Sequence, residues 1–262
     1  MMRVLTLSRV VWLEMIRRKD LYVLLILLVT LLFVLLSLNI FGLGGVVRYV
    51  ADVGLLFAWL FAIILGVSTA GRQLPQEEAK RTIYPLLAKP VTRADVVLGK
   101  WLGSWTITVS CTALFYLLVV GVVLLRGGGI QPVTLAQGFV LHAVAMGIVT
   151  ALTVAISTRM TYGAAASVAY ILIAGAFSIA SRVPELLVHE DGFVARGLLA
   201  LYYGLPHLEL FDLRQRIVHE WGAIPCRTLL FVAMYGVVWV LFLLLLAWMG
   251  YRRKRFKRGA LG

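Results

Sequence analysis

Six apolar stretches set the terms for this chain: residues 21–40, 53–71, 101–125, 135–157, 163–180 and 228–249. A helix rises about 1.5 Å per residue, so about 20 apolar residues cross the roughly 30 Å hydrocarbon core of a bilayer. Inside that core every backbone N–H and C=O needs an internal partner, which a helix supplies. The pattern predicts an all-α polytopic membrane protein with six transmembrane helices, a single transmembrane domain over 1–262. The first stretch is too long for a signal-peptide core and lacks a small-residue cleavage site, so it reads as a retained span. Composition agrees: 61% of residues are hydrophobic and 14% charged, against about 25% charged in soluble domains. A soluble enzyme, a disordered chain and a secreted disulfide scaffold are excluded. Cys111 sits mid-span and Cys226 beside a different span, which predicts no disulfide and offers no metal spacing.

Lys and Arg number 25 against 12 Asp and Glu, a formal charge of +13. In a soluble protein this would point to nucleic acid. Here the basic residues hold loops in the cytoplasm and meet anionic membrane lipid, with no nucleic acid as partner. They gather before the first span (Arg3, Arg9, Arg17, Arg18, Lys19), within 72–100, and in a basic tail over 251–262. The short loops of the other side carry only Arg48 and Arg126. The asymmetry predicts a multi-pass protein of the inner or plasma membrane with both termini cytoplasmic.

Between the spans the polar regions carry local signals. Residues 1–20 place Val4, Leu7, Val11, Trp12 and Met15 on one helical face, with Arg3, Arg9 and Arg17 toward the other. This predicts an interfacial helix along the cytoplasmic leaflet. In 72–100, Pro75 suits a helix start and is followed by Glu77 and Glu78. A short surface helix is predicted over 76–87, interrupted by Pro85 and ended by Lys89-Pro90. Thr92 and Asp95 have capping-box spacing, so a helix should begin at Arg93 and run into the third span. The outer segment 182–227 is long and semi-apolar. It predicts an amphipathic helix over 193–203, a break at Gly204-Leu205-Pro206 and a second short helix over 208–217. The whole segment should dip into the outer leaflet or cap the spans.

The chain lacks the usual catalytic motifs. Gly99-Lys100 is followed by Trp101, so no phosphate loop exists. His189-Glu190 and His219-Glu220 are not zinc-protease motifs, since positions 193 and 223 are Phe and Ala. Asp191-Gly192 to Ala195-Arg196 begins like the metal motif of CDP-alcohol phosphatidyltransferases, but its later positions are Leu205, Glu209 and Leu213. The only ionisable residue read inside a span is His142, which is expected to be a hydrogen-bonded packing residue. A proton- or ion-driven carrier is therefore poorly supported, and energy for transport would come from elsewhere. A lipid-processing membrane enzyme and a non-catalytic membrane scaffold remain as competing readings.

The segment from Glu77 to Arg93 reads Glu-Glu-Ala-Lys-Arg-Thr-Ile-Tyr-Pro-Leu-Leu-Ala-Lys-Pro-Val-Thr-Arg, and Leu98-Gly99-Lys100 follows. This resembles the signature of ABC-2 type transporter permeases: an acidic start, an Arg-Thr pair, two leucines, Pro-Val-Thr-Arg and a closing Gly-Lys. It also falls between the second and third spans, as in that family. Arg81 stands where the family more often has Gly, and Pro85 interrupts a region usually helical there.

The resemblance implies an exporter-class permease, itself not an enzyme and without a cofactor. A separate ABC ATPase subunit would bind ATP and Mg. Two permease copies, identical or different, would pair with two ATPases. A coupling helix over 76–87 would seat in a groove of the ATPase. Glu77, Glu78 and Arg81 would supply a charged rim, and Ile83, Leu86 and Leu87 an apolar anchor. Thr82, Pro90, Thr92, Arg93 and Lys100 complete the matched signature.

Overall fold

The computed structural model describes residues 2–17, 22–23, 26–27, 29–30, 33, 46–79, 92–178, 182–183, 192–252 and 254. Among these every regular element is helical. In chain order they are α1 (Met2–Ile16), α2 (Val46–Ala79), α3 (Arg93–Leu125), α4 (Pro132–Ser157), α5 (Tyr162–Ser178) and α6 (Phe193–Gly204). A 3-10 turn (Leu208–Phe211), α7 (Arg214–Val218) and α8 (Cys226–Arg252) follow. Four helices, α2, α3, α4 and α8, are long and apolar enough to cross a membrane. The expected fifth span appears as α5, which at 17 residues is shorter. Most of the expected first span lies outside the described residues.

The centre of the bundle is α4, which packs on α2, α3, α5 and α8. Indoles zip it to α3: Trp105 Nε1 donates to the Ala143 carbonyl at 2.8 Å, and Trp101 Nε1 to that of Gly147 at 3.2 Å. Buried threonines return their hydroxyls to their own helices. Thr108 donates to the Ser104 carbonyl and Thr150 to that of Met146, at 2.8 and 2.7 Å. These two hydroxyl protons are thereby satisfied within an apolar interior.

The expected interfacial helix is α1, and it has a protein partner. Leu7, Val11 and Met15 are buried, and α1 lies along α3. Two glycines of α3 make the approach possible. A Cβ at Gly99 would stand 2.6 Å from Leu7 Cβ, and one at Gly103 would stand 2.7 Å from Val11 Cβ. Trp12 adds a hydrogen bond from its indole to Thr106 Oγ1 at 2.9 Å.

Two expectations need correction. The segment 72–100 is helical at both ends: α2 runs on through Ala79, and α3 begins at Arg93. At 34 and 33 residues these helices are about 50 Å long, well beyond a bilayer core. Pro75 lies inside α2 rather than at a helix start. It forfeits one i→i−4 hydrogen bond, and ion pairs of Glu77 and Glu78 hold the turn beyond it. The capping box at Thr92 is present as expected: its hydroxyl accepts the Asp95 N–H at 3.1 Å, and the Asp95 carboxylate accepts the Thr92 N–H at 3.0 Å.

Within 182–227, α6 ends at Gly204 as expected, but the second helix is split. The Leu208–Phe211 turn and α7 are separated at Asp212, whose carboxylate accepts the Arg214 N–H at 2.9 Å and so starts a new helix. The chain folds back along the bundle between these pieces. Phe211 packs on Gly236, where a Cβ would stand 2.9 Å from its ring. Gly236 lies about 15 Å along α8 from its start. Gln137 clamps the return, donating to the Ile224 carbonyl at 2.9 Å and accepting its N–H at 2.8 Å. After α7, Glu220 takes a left-handed conformation with φ 53°, and Trp221 N–H donates to the Arg216 carbonyl at 3.2 Å. Glycine normally occupies that position.

Gly103→Leu is expected to dislodge α1 and cost about 1–3 kcal/mol, read as a lower midpoint of thermal unfolding in detergent and faster proteolysis of α1. Gly121→Ala, with nothing within 4 Å of the new Cβ, serves as the neutral control. Glu220→Gly should raise stability by about 1 kcal/mol by relieving the left-handed backbone.

Candidate coupling site

The ends of α2, α3 and α8 meet the turn after α4, and the expected site residues divide around that junction. Glu77 and Glu78 occupy the last turn of α2. Thr92 caps α3, Arg93 opens it, and Lys100 lies two turns further in. Arg81, Thr82, Ile83, Leu86, Leu87 and Pro90 lie outside the described residues. Of the expected helix over 76–87, only its first residues are described, and they continue α2.

Lys100 is buried, with 1% of its surface exposed. Its ammonium forms an ion pair with Glu77 and donates to Gln73 Oε1 at 3.2 Å. A cation can be taken out of water only when charge and hydrogen bonds replace the lost solvent. Glu77 and Gln73, one turn apart on α2, supply both. Lys100 therefore ties α3 to α2.

Glu78 points to another helix. Lys254 Nζ lies 2.7 Å from its carboxylate and donates to the Thr158 carbonyl at 2.9 Å. This one ammonium joins the ends of α2 and α4 to the residues after α8. Arg93 makes the third tie. Its guanidinium donates to the carbonyls of Tyr251, Arg252 and Lys254 at 3.1, 2.6 and 3.2 Å. The last carbonyls of a helix lack intrahelical partners and carry its negative dipole end, so a guanidinium there is doubly favoured. The residue that opens α3 thus closes α8. Beside this cluster is an open groove of about 490 Å³ lined by Pro75, Gln76, Glu78, Ala79, Arg159, Met160, Thr161, Tyr162 and Lys254. Arg72 lies over the Tyr162 ring at 5.5 Å from its centroid.

The sequence reading missed Gln73, Thr158 and Lys254. Gln73 is polar and lies one turn before Glu77, a helical spacing that a reading of 72–100 as loop conceals. Lys254 was grouped with the basic tail 251–262, whereas α8 runs through Arg252 and Tyr251 is buried. Nothing local in the sequence marks the Thr158 carbonyl.

Deeper in the bundle, His142 is buried and stacks on Trp59 with ring centroids 3.9 Å apart; its Nδ1 lies 3.3 Å from the Tyr116 hydroxyl. That is the packing environment expected of it. Cys111 and Cys226 are free thiols.

A helical bundle with four helices long and apolar enough to cross a membrane, tied at one end by ion pairs of α2 with α3 and with the residues after α8, defines an integral membrane protein. Residues 65–190 match the family model of the ABC-2 family transporter protein, which is consistent with an ABC-2 type permease. The match takes in the end of α2, the connection to α3, and α3 through α5. Domains of this family are membrane subunits of transport. No curated protein matches the chain.

Removing either partner of the Lys100–Glu77 pair should destabilise the fold unequally. Glu77→Ala leaves a cation whose side chain is 2% exposed, whereas Lys100→Met leaves a carboxylate that is 22% exposed. Glu77→Ala is expected to cost about 3 kcal/mol and Lys100→Met less, measured as unfolding midpoints in one detergent. The reverse order would contradict the burial argument.

Proposed function

We propose that this chain is the membrane-spanning permease subunit of an ATP-driven exporter of the ABC class. The observation that carries the reading is the family match over 65–190, which includes the signature between α2 and α3. ABC-2 permeases typically work with an ABC ATPase. In this reading the ATPase is a separate subunit that binds ATP and Mg, and two permease copies pair to form the path. The chain crosses an inner or plasma membrane six times, with 21–40 and 163–180 completing the set. Both termini and the segment 80–91 face the cytoplasm, which the charge asymmetry supports.

The site residues take two roles. Arg81, Thr82, Ile83, Leu86, Leu87 and Pro90 contact the ATPase, the leucines and isoleucine as apolar anchors and Arg81 at the rim. Glu77, Glu78, Thr92, Arg93 and Lys100 brace both ends of that segment, so a push on it reaches the helices rather than being lost in a slack loop. The brace is supported by the contacts at both ends: ion pairs before the segment, and a capping box plus a guanidinium after it.

Two measurements test this. Leu86→Asp would bury a carboxylate in an apolar groove, at a cost on the order of several kcal/mol. The variant should stay monodisperse, yet lose co-purification of the ATPase and cargo-stimulated hydrolysis. Equal retention of the ATPase would overturn the contact assignment. For topology, an impermeant thiol reagent on intact cells should label the exposed native Cys226. In a Cys226→Ser background it should not label Ala260→Cys until the membrane is permeabilised. Labelling of position 260 from outside would reverse the orientation.

A further inference from the structure

Helix α8 is held at two places that face opposite ends of the bundle. At its C-terminal end, Arg93 donates to the carbonyls of Tyr251, Arg252 and Lys254, and Lys254 pairs with Glu78 at 2.7 Å. Those partners are the last turn of α2 and the first residue of α3, the two flanks of the 80–91 segment. About 25 Å away along the same helix, the Tyr235 hydroxyl accepts the His207 backbone N–H at 3.2 Å and lies 3.0 Å from His207 Nδ1. One residue on, Gly236 receives the Phe211 ring. Between the two grips α8 has no proline, and it packs on α4, with Val240, Leu243, Leu244 and Ala247 buried. An unbroken helix transmits displacement along its axis, whereas a loop absorbs it.

We infer that α8 is the transmission element that carries displacement of the end of α2 and the start of α3 to the segment around 205–211, with Glu78, Arg93 and Lys254 as positioning residues at one end and Tyr235 at the other. The inference rests on the reading that an ATPase acts on 80–91. It adds a helix outside the matched stretch 65–190 to the machinery of coupling. It also gives Lys254 a role that a solvated basic tail would not have.

The test uses the full-length permease with the ATPase that co-purifies with it, and two thiol reporters. Native Cys226 reports on α8 itself. Tyr203→Cys reports on the outer segment, at a position 74% exposed; it is read in a Cys226→Ser background. Labelling rates are compared without nucleotide and after trapping with ATP and vanadate. In the otherwise unmodified complex both rates should change several-fold on trapping. Glu78→Lys sets like charges against Lys254 and should abolish both changes while the ATPase remains bound. The swap Glu78→Lys with Lys254→Glu should restore them in part, since the exchanged pair attracts again but a carboxylate at 254 cannot donate to the Thr158 carbonyl. Tyr235→Phe should shrink the change at 203 and leave that at 226. If Glu78→Lys does not fold, Glu78→Gln replaces it with the same expectations. Trapping-dependent changes that persist at both reporters in the Glu78 variant would overturn the inference and leave the permease reading standing. A wild-type chain that retains no ATPase would overturn that reading and the inference with it.

Discussion

A lysine ammonium with 1% of its residue surface exposed is the constraint from which much of this structure follows. Desolvating a cation costs several kcal/mol unless a counter-charge and hydrogen bonds stand in for water. Lys100 sits on α3, so the counter-charge must come from a neighbour, and α2 provides it through Glu77 and Gln73. For α2 to reach that height it must stay helical past Gly71 and through Pro75. The proline's lost hydrogen bond is a smaller cost than an uncompensated buried cation. The length of α2, its unusual interior proline and the register of α2 against α3 are thus one consequence of where Lys100 lies.

That register in turn fixes what surrounds it. Extending α2 places Glu78 beside Lys254, and starting α3 at Arg93 places a guanidinium over the open carbonyls of α8. The same stretch of α3 that holds Lys100 presents Gly99 and Gly103 to α1. One face of α3 therefore gathers α1, while its neighbouring faces gather α2, α4 and α8. The signature's closing Gly-Lys is a packing device in this chain: the glycine admits α1, and the lysine ties α2.

What the sequence shows and what it hides divides along locality. The apolar runs that became α2, α3, α4 and α8 are legible because hydrophobic length is a property of each segment alone. The capping box at Thr92 is legible for the same reason, since both partners are three residues apart. The partners of Glu77, Glu78 and Lys100 are not legible, because local charge density reads as solvent exposure. These charges face each other across helices, and nothing within either segment announces a partner 23 or 176 positions away. The split at Asp212 was hidden differently: a short carboxylate that can continue a helix can also start a new one, and the position of Arg214 decided it.

The two ends of the bundle are held together unequally. At the Lys100 end the paired side chains are 2% and 22% exposed. At the other end the ion pair between Arg214 and Asp52 spans 3.1 Å with side chains 19% and 38% exposed. The two atoms that pair, Arg214 Nε and Asp52 Oδ1, are nevertheless shielded from solvent, although the rest of both side chains is partly exposed. The Arg214 end also closes by paired hydrogen-bond contacts: Gln137 with both the N–H and the carbonyl of Ile224, and the Tyr235 hydroxyl with the N–H and Nδ1 of His207. Opening the Lys100–Glu77 pair strands a cation in a nearly dry site. The Glu78–Lys254 pair at the Lys100 end, with side chains 24% and 27% exposed, resembles Arg214–Asp52 rather than Lys100–Glu77, so the unequal cost of opening the two ends rests on the single desolvated ammonium of Lys100.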